Sequence, residues 1–225
     1  MTDPTSPSSA RFDAPDLPET LSNATLSSGL AVPYITVVHR NRAYRPAWGS
    51  VDPHRLREIL DRTLCQVCGE QLGEDVIVFI RPDDYERGVA VEPGLDPLCA
   101  EYSMQACPML AGRIHRYNPH PETRLAHCAD PLCQCRLWIF PGPGERGAPR
   151  PAEAWYAIRL PRSEYRVVTA EATEHNPAVT GIDLRTPSLM RRIRRIRAAA
   201  DTADARTDPL ALLLVGQKLF GGNLG

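Results

Sequence analysis

The chain has 225 residues, 43% of them hydrophobic, which is enough to bury a real core in one domain or two small ones. A formal charge of −1 excludes the molecule as a whole from electrostatic nucleic-acid binding, and 22 prolines with only 6% aromatic residues exclude a long-helix bundle in favour of short elements and loops. No apolar run approaches the ~18 residues of a membrane span and no charged-then-apolar leader is seen, so a cytoplasmic protein without a membrane partner is expected.

Residues 1–28, rich in Ser, Thr, Pro and Asp, predict a disordered tail. Tyr34–Val38 reads as a strand because its residues are largely β-branched or aromatic. Asp52 is the N-cap and Pro53 the first position of a helix whose Leu56, Ile59, Leu60 and Leu64 share one face. That helix runs into Cys65-Gln-Val-Cys68-Gly69. Val76–Ile80 is a strand, Asp83-Asp84 a turn and Gly88–Val91 a second strand, so a hairpin is expected. Asp96-Pro97 opens a second helix that carries Cys99 and Tyr102 and stops at Pro108.

Residues 112–135 form a Cys/His-rich loop region. Over 136–225, strands are expected at Arg136–Phe140, Ala154–Leu160 and Tyr165–Thr169. A helix starting at Thr186-Pro187 places Leu189, Ile193, Ile196 and Ala200 in one stripe. A short apolar segment, Leu210–Val215, precedes the glycine-rich end. The fold class is therefore α+β: a treble-clef-like module over 29–111, then the loop region, then a small antiparallel sheet with a C-terminal helix. The tetrapeptide DPLC occurs twice, at Asp96 and at Asp130, which is too short to count as a repeat.

In a reducing cytosol seven cysteines are read as metal ligands before disulfides. CQVCG carries the strongest signal: two thiolates two residues apart in a tight turn can aim at one ion, and the glycine lets the backbone curl. Knuckle, hairpin and helix in that order resemble a treble-clef zinc finger, with Cys99 at the helix start as third ligand. The fourth is Cys107, or Asp96 three positions before Cys99, or a residue folding back from the 115–135 region. Zinc is the expected ion; iron is the other metal a thiolate set accepts. His127, Cys128, Cys133 and Cys135 are candidates for a second ion. The stretches CQVCGEQLG and LCAEYSMQACPML resemble a group of uncharacterised bacterial and phage-encoded proteins. In these a CxVCGxxLG knuckle precedes HxxCAxY and ACPxL. The resemblance covers roughly residues 34–110, carries no activity, and implies a metal-binding module; the histidine of its pattern falls at Asp96 here.

The function classes narrow in turn. From Cys65 to Cys107 nine acids face only Arg81 and Arg87, a surface that repels phosphate. No histidine lies between Cys68 and His115, which removes the base a treble-clef nuclease needs. His120-Pro-Glu122 followed by CxC rather than CxxC falls short of a zinc deaminase. The sequence around His39 and His54 shows no partner motif for a catalytic base, and there is no phosphate loop, GxGxxG or GxSxG. The reading is a zinc-binding interaction or regulatory accessory module with a structural metal and a protein partner. The alternatives are nucleic-acid or acidic-partner binding through Arg191, Arg192, Arg194 and Arg195 of the C-terminal helix, and a metal-dependent enzyme whose catalytic residues are unknown.

Overall fold

The structure, a computed structural model, describes residues 14–40, 46–117, 128–133, 135, 151–174, 177–201 and 208–220. Residues 1–13 lie outside this set, but 14–28 do not form the expected tail. Leu21 is fully buried in the main core, and β1 (Leu26–Ser27) and β2 (Leu30–Ala31) pair as a small hairpin. Its two-residue turn, Ser28-Gly29, has both residues at positive φ, 53° and 79°, as a tight hairpin requires. The expected strand Tyr34–Val38 is instead an extended run whose partners sit on different segments. Tyr34 and Ile35 donate to the carbonyls of Val67 and Gln66, while Thr36 bridges Val51.

α1 (Pro53–Arg62) begins as expected: the Asp52 carboxylate accepts from the His54 and Arg55 amides at 2.9 and 3.2 Å, satisfying two of the helix's orphan donors. Ile59 and Leu60 are buried, and Thr63 at φ 56° turns the chain towards Cys65. β3 (Asp75–Ile80) follows. The expected Asp83-Asp84 turn is a short helix, α2 (Pro82–Arg87). Pro82 presets its first φ, the Asp84 carboxylate accepts from the Arg81 amide at 2.9 Å, and Gly88 at φ 72° ends it.

This helix separates β3 from β4 (Val89–Ala90), so the expected hairpin does not form. Leu95 takes the second strand's place beside β3, exchanging two backbone bonds with Ile77 at 2.9 and 2.8 Å. α3 (Pro97–Ala106) then starts at the Asp96 N-cap and ends at Cys107.

Two three-stranded antiparallel sheets organise the rest. One runs β3–β5–β8, with β5 (Trp155–Pro161) central and β8 (Ile193–Arg197) at the edge. The other runs β4–β7–β6, with β7 (Val179–Asp183) central and β6 (Val167–Ala170) opposite β4. Each sheet thus combines strands from 29–111 with strands from beyond residue 136. β5 and β6 fall where strands are expected; Arg136–Phe140 lies outside the described residues.

The expected helix from Thr186 through Ala200 is corrected. Thr186 does cap a helix, but α4 (Pro187–Arg191) has only 5 residues, and the chain then becomes β8. The β5 edge offers Ile193–Arg197 a ladder of backbone partners, and β-branched Ile193 and Ile196 suit a strand. Leu189 and Ile193 are buried in both readings, so their spacing does not discriminate. The described chain ends with α5 (Pro209–Phe220), which contains the apolar segment seen in the sequence.

The two faces of β5 are covered differently, as the two-residue period of a strand demands. Tyr156, Ile158 and Leu160 are fully buried. The Tyr156 hydroxyl donates to the Asp208 carboxylate, which also caps α5 by accepting from the Leu210 and Ala211 amides at 3.0 and 3.2 Å. On the Ala157 face, the Arg194 guanidinium reaches the Met104 sulfur of α3 at 3.2 Å.

Gly181, in the centre of the second sheet, has no room for a side chain: a Cβ there would stand 2.0 Å from the Ala90 carbonyl oxygen of β4. Gly216, inside α5, has nothing within 4 Å of such a carbon. Opposite signs are expected in urea unfolding. Gly181→Ala should lose about 3 kcal/mol through overpacking, whereas Gly216→Ala should gain ~0.5–1 kcal/mol because alanine restricts the unfolded chain.

Candidate metal centres

The first cluster is built by three local devices. Cys65 donates its amide to the Glu70 carbonyl at 2.7 Å and accepts from Gly69 at 2.9 Å, closing the knuckle that carries Cys65 and Cys68. Gly69 sits at φ +79° with the Tyr34 ring 2.9 Å from where a Cβ would be, so both conformation and space require glycine. Cys99 enters from the first turn of α3, where the helix N-terminus favours negative charge on sulfur.

The three sulfurs lie within 4.8 Å of one another, Cys65 and Cys99 buried and Cys68 half-buried. The Val67 and Asp96 amides approach the Cys65 sulfur at 3.5 and 3.3 Å, and the Thr20 hydroxyl lies 3.5 Å from the Cys99 sulfur. Three thiols this close ionise unequally. Contacts from Cys68 and Cys99, then the backbone amides, pull Cys65 down to about 3. Cys68 and Cys99 are pushed up, first by the Cys65 sulfur. A bound dication removes that mutual opposition, because it stabilises every thiolate at once.

Neither Cys107 nor Asp96 stands in this group. The Asp96 carboxylate caps α3, accepting from the Leu98 amide at 2.9 Å, and only its backbone amide faces Cys65. Cys107 is the C-cap at the other end of the same helix; eight residues at 1.5 Å each put it ~12 Å along the axis from Cys99.

The second cluster gathers His39, Cys128, Cys133 and Cys135, whose ligand atoms also lie within 4.8 Å of one another. Cys133 and Cys135 are buried beside Val37 and Ala47, in a small core of their own. The Cys128 and Cys135 sulfurs are 3.7 Å apart, and the Cys133 sulfur is 3.8 Å from His39 Nδ1. The Arg40 amide donates to the Cys133 sulfur and the Cys128 amide to the Cys135 sulfur, both at 3.4 Å.

Burial opposes ionisation of Cys133, but the Arg40 and Cys135 amides, the His39 ring and Cys128 outweigh it and bring the thiol down to about 6. Cys128 is pushed up, first by burial. Sequence reasoning placed Cys128, Cys133 and Cys135 together and paired them with His127, which lies outside the described residues. It missed His39, whose 94-residue separation from Cys133 leaves no spacing signal.

The remaining candidates are placed differently. Arg192, Arg194 and Arg195 flank or occupy the edge strand β8, and Arg191 ends α4. Arg197 donates to the carbonyls of Met109 and Ile114 at 2.6 and 2.9 Å, so this basic strand lies against the cysteine module. Within that module part of the negative charge is already matched. Asp75 pairs with Arg159 at 2.6 Å and Asp84 with Arg81 at 3.1 Å. Burial works against the Arg81 charge, and Asp84, Glu92 and Glu153 outweigh it and hold it ionised.

Two Cys/His clusters are therefore arranged so that each could bind a metal ion. Among the described residues no helix is long and apolar enough to cross a membrane. No protein-family model, curated protein or solved structure matches the chain.

Metal dependence of the first cluster is tested by thermal melting with and without a strong chelator. Free zinc at ~1,000 times its Kd adds ~4 kcal/mol of stability, on the order of 10 °C for a chain of this size. Cys65→Ser should lose the first cluster's share of the chelator-sensitive stability, and Cys107→Ser should keep it. Equal losses in the two variants would place Cys107 among the ligands.

Proposed function

We propose that the chain is a zinc-binding interaction or accessory module in which the Cys65, Cys68 and Cys99 site is structural. The carrying observation is the convergence of three sulfurs from two segments, with the Asp96 amide donating across 31 residues to Cys65. Sulfur-only donor sets of this kind suit zinc, and a metal here would join the knuckle to α3 in addition to the packing around them. The expected hairpin is absent, and three of the expected ligands still meet: Leu95 stands beside β3 where the second strand was expected and leads into α3.

The interaction half of the proposal rests on α5. Leu212 and Val215, three residues apart and so on one helix face, are 72% and 53% exposed. Large apolar side chains left exposed together on one helix mark a surface that another protein can cover. Crosslinked pull-down from native lysate should recover a defined partner with the wild-type chain and lose it with Leu212→Glu/Val215→Glu. Equal recovery by both would move the interface elsewhere, and recovery of nothing by either would end the interaction reading.

A second reading has its own observation. Arg159, Arg192, Arg194 and Arg197 line one cleft between β8 and α3, together with Ile77 and Met104. A row of guanidinium groups on a sheet edge suits an anionic strand even though the whole chain is near neutral. Nucleic-acid binding there would weaken steeply with salt, and Arg192→Ala/Arg194→Ala would reduce the salt slope by about 2. Salt-insensitive binding, or none, would remove this reading. The metalloenzyme alternative has no support beyond the metal clusters themselves.

A further inference from the structure

We infer that His39, Cys128, Cys133 and Cys135 form a second, closed zinc site that fastens residues 128–133 and 135 to the chain's first third. The inference stands on residues separate from the Cys65 cluster and does not require it.

The donor set is complete in itself. Four groups from two distant segments bring one nitrogen and three sulfurs together, each within 4.8 Å of the others. Four-coordinate zinc with Zn–S bonds of ~2.3 Å and Zn–N of ~2.05 Å separates two sulfurs by ~3.8 Å, and a sulfur from an imidazole nitrogen by ~3.6 Å. The observed edges, Cys128 to Cys135 at 3.7 Å and Cys133 to His39 at 3.8 Å, fit those of such a tetrahedron. They are also far too long for a disulfide, whose sulfurs are ~2.05 Å apart. All four cysteine and histidine side chains are buried or half-buried, so the site is enclosed rather than a surface coincidence.

An independent observation comes from the tetrapeptide DPLC, which the sequence contains twice. In both copies the aspartate Oδ1 accepts from the leucine amide two residues on, at 2.9 Å: Asp96 to Leu98 and Asp130 to Leu132. In both, the cysteine that follows, Cys99 or Cys133, delivers its sulfur to a Cys cluster. One local device, an aspartate-capped turn with proline fixing the next φ, thus presents a ligand at each site. At Asp96 the turn continues into α3; at Asp130 it closes with the Cys133 amide bonded to the Asp130 carbonyl at 3.1 Å.

The role follows from what surrounds the site. Among the described residues, the buried side chains here apart from the cysteines are Val37 and Ala47. Those two side chains add little packing between 37–40 and 128–133, and an ion bonded to both segments joins them directly. Four protein ligands leave no coordination position for water or substrate, so the site is structural rather than catalytic.

The test is zinc content by mass spectrometry on untagged full-length protein purified anaerobically, with visible spectra after cobalt(II) substitution. Wild type should hold two zinc ions. His39→Ala and Cys133→Ser should each hold one, and Cys65→Ser should also hold one, since it empties only the other site. His127→Ala should retain two. His39→Cys should retain two and move the cobalt d–d bands to longer wavelength, because a thiolate exerts a weaker ligand field than imidazole; this variant reads the site even if His39→Ala fails to fold. A second zinc lost with His127→Ala and kept with His39→Ala would overturn the assignment, as would an unshifted cobalt spectrum in His39→Cys. One zinc in wild type that depends on Cys65 alone would overturn this site and leave the first intact. One zinc that depends on His39 would do the reverse.

Discussion

Two backbone hydrogen bonds between Ile77 and Leu95, at 2.9 and 2.8 Å, hold the structure's geometry together. Ile77 belongs to β3 and Leu95 stands immediately before the Asp96 cap of α3. Their exchange therefore fixes where α3 starts relative to the sheet. From that point the helix both covers the Ala157 face of β5 and presents Cys99 to the knuckle. If Leu95 were free, the Cys65 sulfur would lose the Asp96 amide, and the third sulfur would have no defined position. The fully buried Leu95 side chain secures the same contact from the core side. Buried paired amides of this kind are costly to separate, at ~1–3 kcal/mol for each group left unsatisfied.

Local chemistry was legible in the sequence at most places where one short segment contained the whole cause, α2 being the exception. Asp52-Pro53, Asp96-Pro97 and Thr186-Pro187 all start helices as read, because cap, proline and first turn are adjacent in the chain. CQVCG and Cys99 were legible for the same reason: a knuckle and a helix start are local objects. Elements fixed by distant partners were not. Ile193–Arg197 has a helical apolar spacing, yet the open edge of β5 outweighs it and makes a strand. α2 shows the converse case: Asp83-Asp84 looks like a turn, but Pro82 before it and Gly88 after it are enough for a helix of 6 residues.

His39 is the sharpest instance of what sequence order hides. Its neighbours, Val37 and Val38, read as an ordinary β-rich stretch, and its position among the cysteines depends on how residues 37–40 lie against 128–135. The Arg40 amide on the Cys133 sulfur and Val37 in the small core record that packing. Neither contact has any counterpart in local spacing. Leu21 was missed on similar grounds, since a segment rich in Ser, Thr and Pro looks disordered until one leucine finds a place in the main core.

The two clusters differ in a way that their surroundings explain. Cys65, Cys68 and Cys99 sit within the main core, beside Leu72, Val76, Leu95 and Tyr102, so metal there adds to hydrophobic packing that exists already. Among the described residues, the cluster of His39, Cys128, Cys133 and Cys135 has only Val37 and Ala47 as such packing. Hydrophobic burial contributes ~25 cal/mol per Å2, and a valine with an alanine supplies too little area to order a loop against its conformational entropy. Coordination bonds need no area: a handful of short, directional contacts can do what a short Pro-rich segment lacks the side chains to do. Among the described residues, the number of donors at each cluster therefore runs opposite to the hydrophobic support around it, three within the large core and four beside the small one.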